Sequence, residues 1–266
     1  MRASAVHPTI EEAVAVARGH VYGFLAAALA DPLREHFGLA LDRKLQAVAA
    51  AAAELLASEA RENVELGTGE LPPRQLDVLP VVTALARPRE EIVVEHQDVF
   101  GLLLGKTAPP CETEYCRSTL TFYRSHQLAD VAGFYQAFGL EPNREQPERQ
   151  DHISVELEFM AHLIEKELAA AASSDAALEE KAPLCREAQI KFFEAHLAWW
   201  VPAFAELLRQ AAPADGLYAA LADALARFIP CERAVLGIRS SEALAEPRSA
   251  EETVEGKECS GCMPCQ

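Results

Sequence analysis

The stretch Asp151-His152-Ile153-Ser154-Val155-Glu156-Leu157-Glu158-Phe159-Met160-Ala161-His162-Leu163-Ile164 decides the fold. Ile153, Leu157, Met160, Ile164 and, just beyond, Leu168 recur at three- and four-residue steps, the period of a helix with one apolar face. Asp151 precedes them where an N-cap acid belongs. Working outward, the same period recurs on both sides. Ile190, Phe193, Leu197, Trp200, Phe204 and Leu207 carry it C-terminally, with Pro202 a kink or helix start. Residues 217–228 close the pattern. Upstream, Thr9-Ile10-Glu11-Glu12 reads as a capping box ahead of Ile10, Val14, Ala17, Val21, Leu25 and Ala28. Residues 42–59 form an alanine-rich helix carrying Leu45, Val48, Ala52 and Leu55. Shorter helices are expected over 76–85 and 90–103, and 112–138 reads as a helix ended by Gly139.

Strand signals are confined to residues 92–94 and 234–238, and neither is assigned. Three stretches read as loops: 63–74, 141–150 and 240–258, the last with six acids against two bases. The expectation is a single all-α domain of about eight to ten helices. It spans 1–239 and is followed by a mobile acidic tail over 240–266.

Half of the 266 residues are hydrophobic, ordinary for a globular chain, but 24 Lys+Arg against 41 Asp+Glu leave a net charge of −17. Such a surface repels phosphate backbones and anionic lipid and attracts cationic peptides, so nucleic acid is excluded as a partner. The apolar run 21–30 is ten residues long, against the roughly 20 needed to cross a bilayer, so no membrane insertion is expected. The N-terminus shows no twin arginine and no apolar leader core. Seven cysteines, an odd number with three in the last eight residues, do not describe a disulfide framework. The expected compartment is the cytoplasm.

Several motifs have bland explanations. Gly101, Gly105, Lys106 and Thr107 approach a phosphate-binding loop, but three leucines separate the glycines and a helix end explains them better. No Glu-x-x-His pair exists for a di-iron bundle, which disfavours a helical metalloenzyme. Glu158 and His162 read as a solvated i,i+4 pair. Cys259-Ser260-Gly261-Cys262-Met263-Pro264-Cys265 is different, since thiolates at this spacing can wrap Zn or an Fe–S cluster. Three ligands are one short of a closed site; Cys231, Cys111, Cys116 or a second chain could complete it.

Taken in order, Glu95-His96-Gln97-Asp98-Val99-Phe100-Gly101, Pro109-Pro110-Cys111-Glu112-Thr113-Glu114-Tyr115, Glu148-Arg149-Gln150-Asp151-His152-Ile153 with Glu156 to Met160, and the run from Phe193 through His196, Trp199, Trp200 and Pro202 to Phe204 resemble the TorD/DmsD/NarJ family of redox-enzyme maturation chaperones. The resemblance covers roughly residues 10 to 230. It implies a TorD-like all-α fold and a dedicated, non-enzymatic chaperone. Such a protein binds the apo catalytic subunit of a molybdopterin oxidoreductase and its twin-arginine leader, and holds them until the cofactor is inserted. It implies no required cofactor, and a monomer or a homodimer. It also points to Glu148, Asp151 and His152 as peptide-binding, with Arg149 standing where the family has proline. A receptor for two arginines followed by an apolar helix needs carboxylates beside an apolar wall. Glu112 and Glu114 extend the charge; Phe100, Tyr115 and Phe122 supply the wall. The cysteine run lies outside the resemblance, and the alternative reading is a metal-binding regulator or metallochaperone acting through it.

Overall fold

The computed structural model describes residues 9–101, 107–116, 121–144, 147–240 and 243–247. Residues 102–106 of the stretch resembling a phosphate-binding motif, the cysteine run and most of the acidic tail lie outside them, as does the Phe122 side chain. Among the described residues the elements are α1 (Ile10–Leu29), α2 (Phe37–Ala40), α3 (Arg43–Glu59), a 3-10 turn (Pro73–Gln75), α4 (Leu79–Leu85), α5 (Arg89–Phe100), a second 3-10 turn (Glu112–Glu114), α6 (Thr121–Ala137), α7 (Ile153–Ala171), α8 (Ala176–Glu179), α9 (Ala182–His196), α10 (Val201–Ala211) and α11 (Leu217–Leu236). The fold is all-α. Of the two stretches with strand character, one falls inside α5 and the other straddles the end of α11.

α7 and α1 are the spine. The α7 stripe of Ile153, Leu157, Met160 and Ile164 is buried as its period requires. α1 packs along it, and the run 21–30 is buried on every side, the signature of a core helix rather than a membrane span. A methyl on Gly19 would stand 3.4 Å from Ile164, so glycine lets the two helices close together. Thr9 caps α1 by accepting the Glu12 N–H at 3.1 Å. α3 and α11 pack on α1, α9 on α7, and α10 on α11.

Three expectations need correction. α3 turns Ala49, Ala52, Ala53 and Leu56 inward and leaves Leu45 and Val48 exposed, a rotation of about one position from the expected stripe. Alanine methyls allow close packing on α1, and that outweighs burying two larger side chains. The stripe over 190–207 belongs to two helices: residues 197–200 turn a corner, and Pro202 sits in the first turn of α10. Leu197 and Trp200 in the corner are both fully buried, so the apolar period passes through the break. α11 continues past Phe228 and through Pro230 to an αL cap at Gly237. Shorter adjustments fall at helix ends. α5 stops at Gly101 (φ 72°), earlier than expected, and 112–114 forms a separate 3-10 turn ahead of α6.

The extension of α11 carries two buried ion pairs. Arg18 of α1 donates from Nε to Glu232 at 2.6 Å and from Nη2 to Gln189 at 2.9 Å. Arg233 binds Glu70 at 2.6 Å, and Glu70 also accepts the Gly67 N–H at 2.7 Å, so the 63–74 loop is tied down. Residues 243–247 also lie against the domain, with Ala245 buried. The far end of α11 is capped from a distance: Glu95 of α5 accepts the Tyr218 N–H at 3.0 Å. Any side chain on Gly216 would collide with that carboxylate, its Cβ falling 2.4 Å from Oε1.

Candidate functional site

The candidate residues separate into a buried layer and a cleft above it. Residues 108–115 run beside the start of α7, where Cys111 and His152 form an antiparallel bridge. Glu112 N–H donates to the Asp151 carbonyl and Ile153 N–H to the Pro110 carbonyl, both at 2.9 Å. Here His152, not Asp151, is the N-cap of α7: its Nδ1 accepts the Ser154 N–H. Burial lowers the His152 pKa. Asp151 reaches sideways instead. Its carboxylate accepts two bonds from Arg149, at 3.0 and 2.8 Å, and two from Thr113, at 3.1 and 2.7 Å. Burial alone would raise the Asp151 pKa, but the Arg149 fork and the Thr113 bonds outweigh it and hold it below the ordinary value.

Glu112 is likewise fully buried. It accepts from Gln127 Nε2 at 2.8 Å, Trp199 Nε1 at 3.0 Å and His196 Nδ1 at 3.2 Å, yet burial still raises its pKa. Tyr115 packs its ring 5.1 Å from that of Trp200 and donates its hydroxyl to the Pro109 carbonyl. Phe100 lies elsewhere, edge-on to Tyr218 in the buried cluster with His96. Of the six expected client-binding residues, then, Asp151, His152, Glu112 and Tyr115 are brought together beneath the surface, Phe100 is not with them, and Glu148 is exposed.

Glu148 lines a cleft of about 380 Å³ between the end of α1, the open face of α6, the 141–150 loop and the first turns of α7. Asp31, Glu141, Glu148 and Glu158 stand around it, against Arg34 as the lining lysine-or-arginine cation, with His36 and His162. Its apolar surface comes from Leu140, Val155, Tyr135 and Phe159. Tyr135 anchors the loop by donating its hydroxyl to the Gln150 carbonyl at 2.8 Å. Rather than a simple solvated pair, Glu158 and His162 both face this cleft, and Nε2 atoms of both His36 and His162 lack a hydrogen-bond partner among the described residues. Burial lowers the His162 pKa. Asp31, Glu141 and Glu158 come from three separate segments, and no local motif marks them.

The Cys111 thiol is pushed far up by burial, the opposite of an activated nucleophile. Among the described residues no cluster of three or more His, Cys, Asp or Glu side chains is placed to hold a metal. Of the cysteines considered as a fourth ligand for the terminal run, Cys111 and Cys231 are buried and Cys116 is half-buried. No helix among the described residues is long and apolar enough to cross a membrane.

Fold and site together define an all-α protein with a buried polar layer beneath an acid-rimmed cleft. The family described as nitrate reductase delta subunit matches residues 40–206, well over half of the chain, and the chain belongs to it. It is 33% identical over 142 residues to the Chaperone protein TorD of Vibrio cholerae serotype O1, covering 52% of this chain and 59% of that protein. It is 32% identical over 181 residues to the Selenate reductase assembly chaperone protein of Thauera selenatis, covering 65% of this chain and 90% of that protein. The chain thus spans under two thirds of the TorD it matches and nearly all of the Thauera protein. No solved structure matches it. Both of these relatives are chaperones by name.

Proposed function

We propose that this protein is a system-specific chaperone. It binds the apo catalytic subunit of a molybdopterin oxidoreductase, together with its twin-arginine leader, in the cytoplasm before cofactor insertion. The observation that carries the reading is the cleft, where four carboxylates surround an apolar floor that includes two aromatic rings. A guanidinium takes carboxylates at its edge and aromatic rings at its face, and an apolar helix follows it in such a leader. The −17 charge steers a basic segment toward the protein, most strongly at low salt. Glu148 and the other rim acids contact the leader. Asp151, His152, Glu112 and Tyr115 act from below by fixing the loop that carries Glu148, and Phe100 by packing α5 on α11.

The test is titration of a twin-arginine leader peptide against the wild type and Glu148→Gln/Glu158→Gln. Each exposed pair contributes about 0.2–1 kcal/mol, so the double variant should bind several-fold more weakly and with a shallower salt dependence. Equal binding by both proteins would remove the cleft from the reading. Native pull-down with mass spectrometry then identifies the client; recovery of no oxidoreductase subunit from cells that make one would overturn the chaperone assignment. The terminal Cys259, Cys262 and Cys265 are a separate proposal. Metal analysis of the full chain against a truncation after Glu258 decides it, and equal metal content would sink it.

A further inference from the structure

α3 carries a second stripe that the fold leaves unused. Ala49, Ala52, Ala53 and Leu56 pack inward. On the outward side Lys44, Val48, Ala51, Leu55 and Glu59 follow one another at steps of three and four residues, which aligns them along the helix. Val48 is 40% exposed, Leu55 is half-buried, and Lys44, Ala51 and Glu59 are exposed. Leu45, also exposed, lies beside this stripe. Neither Lys44 nor Glu59 forms an ion pair among the described residues. Both charges also oppose the dipole of their own helix. α3 begins with Arg43 and Lys44 and has no acid in its first turn; it ends on Glu59 and has no base in its last. A neighbouring helix running the other way would turn both placements from unfavourable to favourable.

The stripe is complementary to its own reverse. Lys44 and Glu59 lie equally far from a point between Ala51 and Ala52, and so do Val48 and Leu55. A second copy related by a two-fold axis at that point sets Lys44 against Glu59 of the second copy, and Val48 against its Leu55. Alanine at the crossing lets the two backbones come close. We propose that the outward face of α3 is a self-association surface, on which two copies of this chain pair with their α3 helices antiparallel. The same residues make the contact twice, so it closes at a dimer. Charge selects this face. The chain carries −17 overall, but residues 43–61 hold three basic residues and two acids, so two copies meet here without the repulsion that the rest of the surface imposes. The face of one 17-residue helix, about 26 Å long and 10 Å wide, is smaller than the roughly 1,200–2,000 Å² of a stable interface. The dimer is therefore weak and depends on concentration. None of the five stripe residues lines the acid-rimmed cleft, so the inference stands apart from the client reading.

Sedimentation velocity of the full chain, with no client present, reads the association over a concentration series. The wild type should pass from monomer to dimer in the micromolar range or above. Lys44→Glu and Glu59→Lys should each weaken the dimer by about tenfold, because each sets like charges together at both ends of the contact. Both reversals suit the α3 dipole, so neither threatens the fold. Net charge alone predicts otherwise: it would tighten Glu59→Lys, and that result would overturn the proposal. An equimolar mixture of the two variants should regain the wild-type affinity as a heterodimer, since one copy then presents two acids and the other two bases. The double variant should regain it as a homodimer. A chain that stays monomeric at every concentration would overturn the surface. A dimer indifferent to both reversals would do the same, and a mixture that fails to recover would overturn the antiparallel pairing.

Discussion

Near the end of α11, buried charge is balanced: Arg18 of α1 meets Glu232, and Glu70 of the 63–74 loop meets Arg233. Where α6, α7 and α9 converge, Asp151, Glu112 and Glu156 are all buried, and of the three Asp151 is the one that Arg149 pairs with. A matched pair in a low-dielectric interior has one good arrangement and resists change. Surplus acid has to be held by neutral donors and by protons, both of which can be exchanged. The balanced region thus serves as the lock, and the acid-rich region underlies the cleft where a cationic partner is proposed to bind.

Breaking the balanced region should have the largest effect. Glu232→Ala leaves Arg18 buried without its carboxylate and should cost about 3–5 kcal/mol in urea unfolding. A loss near zero would mean that the pair is no lock. Asp151→Asn should cost less, about 1.5–3 kcal/mol, because Arg149 is partly exposed and keeps Thr113. Its pH signature has a definite sign. Asp151 has a folded-state pKa below its unfolded one, so its contribution is full above the ordinary aspartate value and is lost as pH falls through the folded one. The acid side of the wild-type stability profile should therefore be steeper than that of Asp151→Asn. Removing an exposed cleft acid sharpens the contrast from the other side. Glu148→Gln should change stability by less than about 0.5 kcal/mol while weakening the leader peptide. Leu45→Lys, on the outward face of α3, should change neither by a measurable amount, whereas Leu56→Ala in the same helix should cost about 2–5 kcal/mol.

Much of the fold was legible because α1 and α7 repeat an unbroken apolar stripe that no other period fits. α3 was misregistered because in an alanine-rich helix the larger side chains dominate the pattern, while packing selects the face that comes closest. The α9–α10 corner was hidden because Leu197 and Trp200 are buried on either reading, and Pro202 was the sole signal. The site was half legible. The short motifs marked Asp151 and Glu112, but their surroundings come from far along the chain: Thr113 is 38 residues from Asp151, and His196 and Trp199 are 84 and 87 residues from Glu112. No spacing rule reaches that distance. The spacing of Glu158 and His162 suggested solvated side chains, because the cleft they face is formed by three other segments.

The placement of α11 bears on how the protein is made. Arg18 waits for a partner 214 residues downstream, and Glu95 for a backbone amide 123 residues downstream. A ribosome will have released most of the chain before either can be satisfied, and until then the Arg18 guanidinium lacks its carboxylate. A product stopped before residue 217 is therefore no smaller version of this protein but a substrate for proteases. A protein proposed to shelter unfinished enzymes is itself unfinished until α11 is complete.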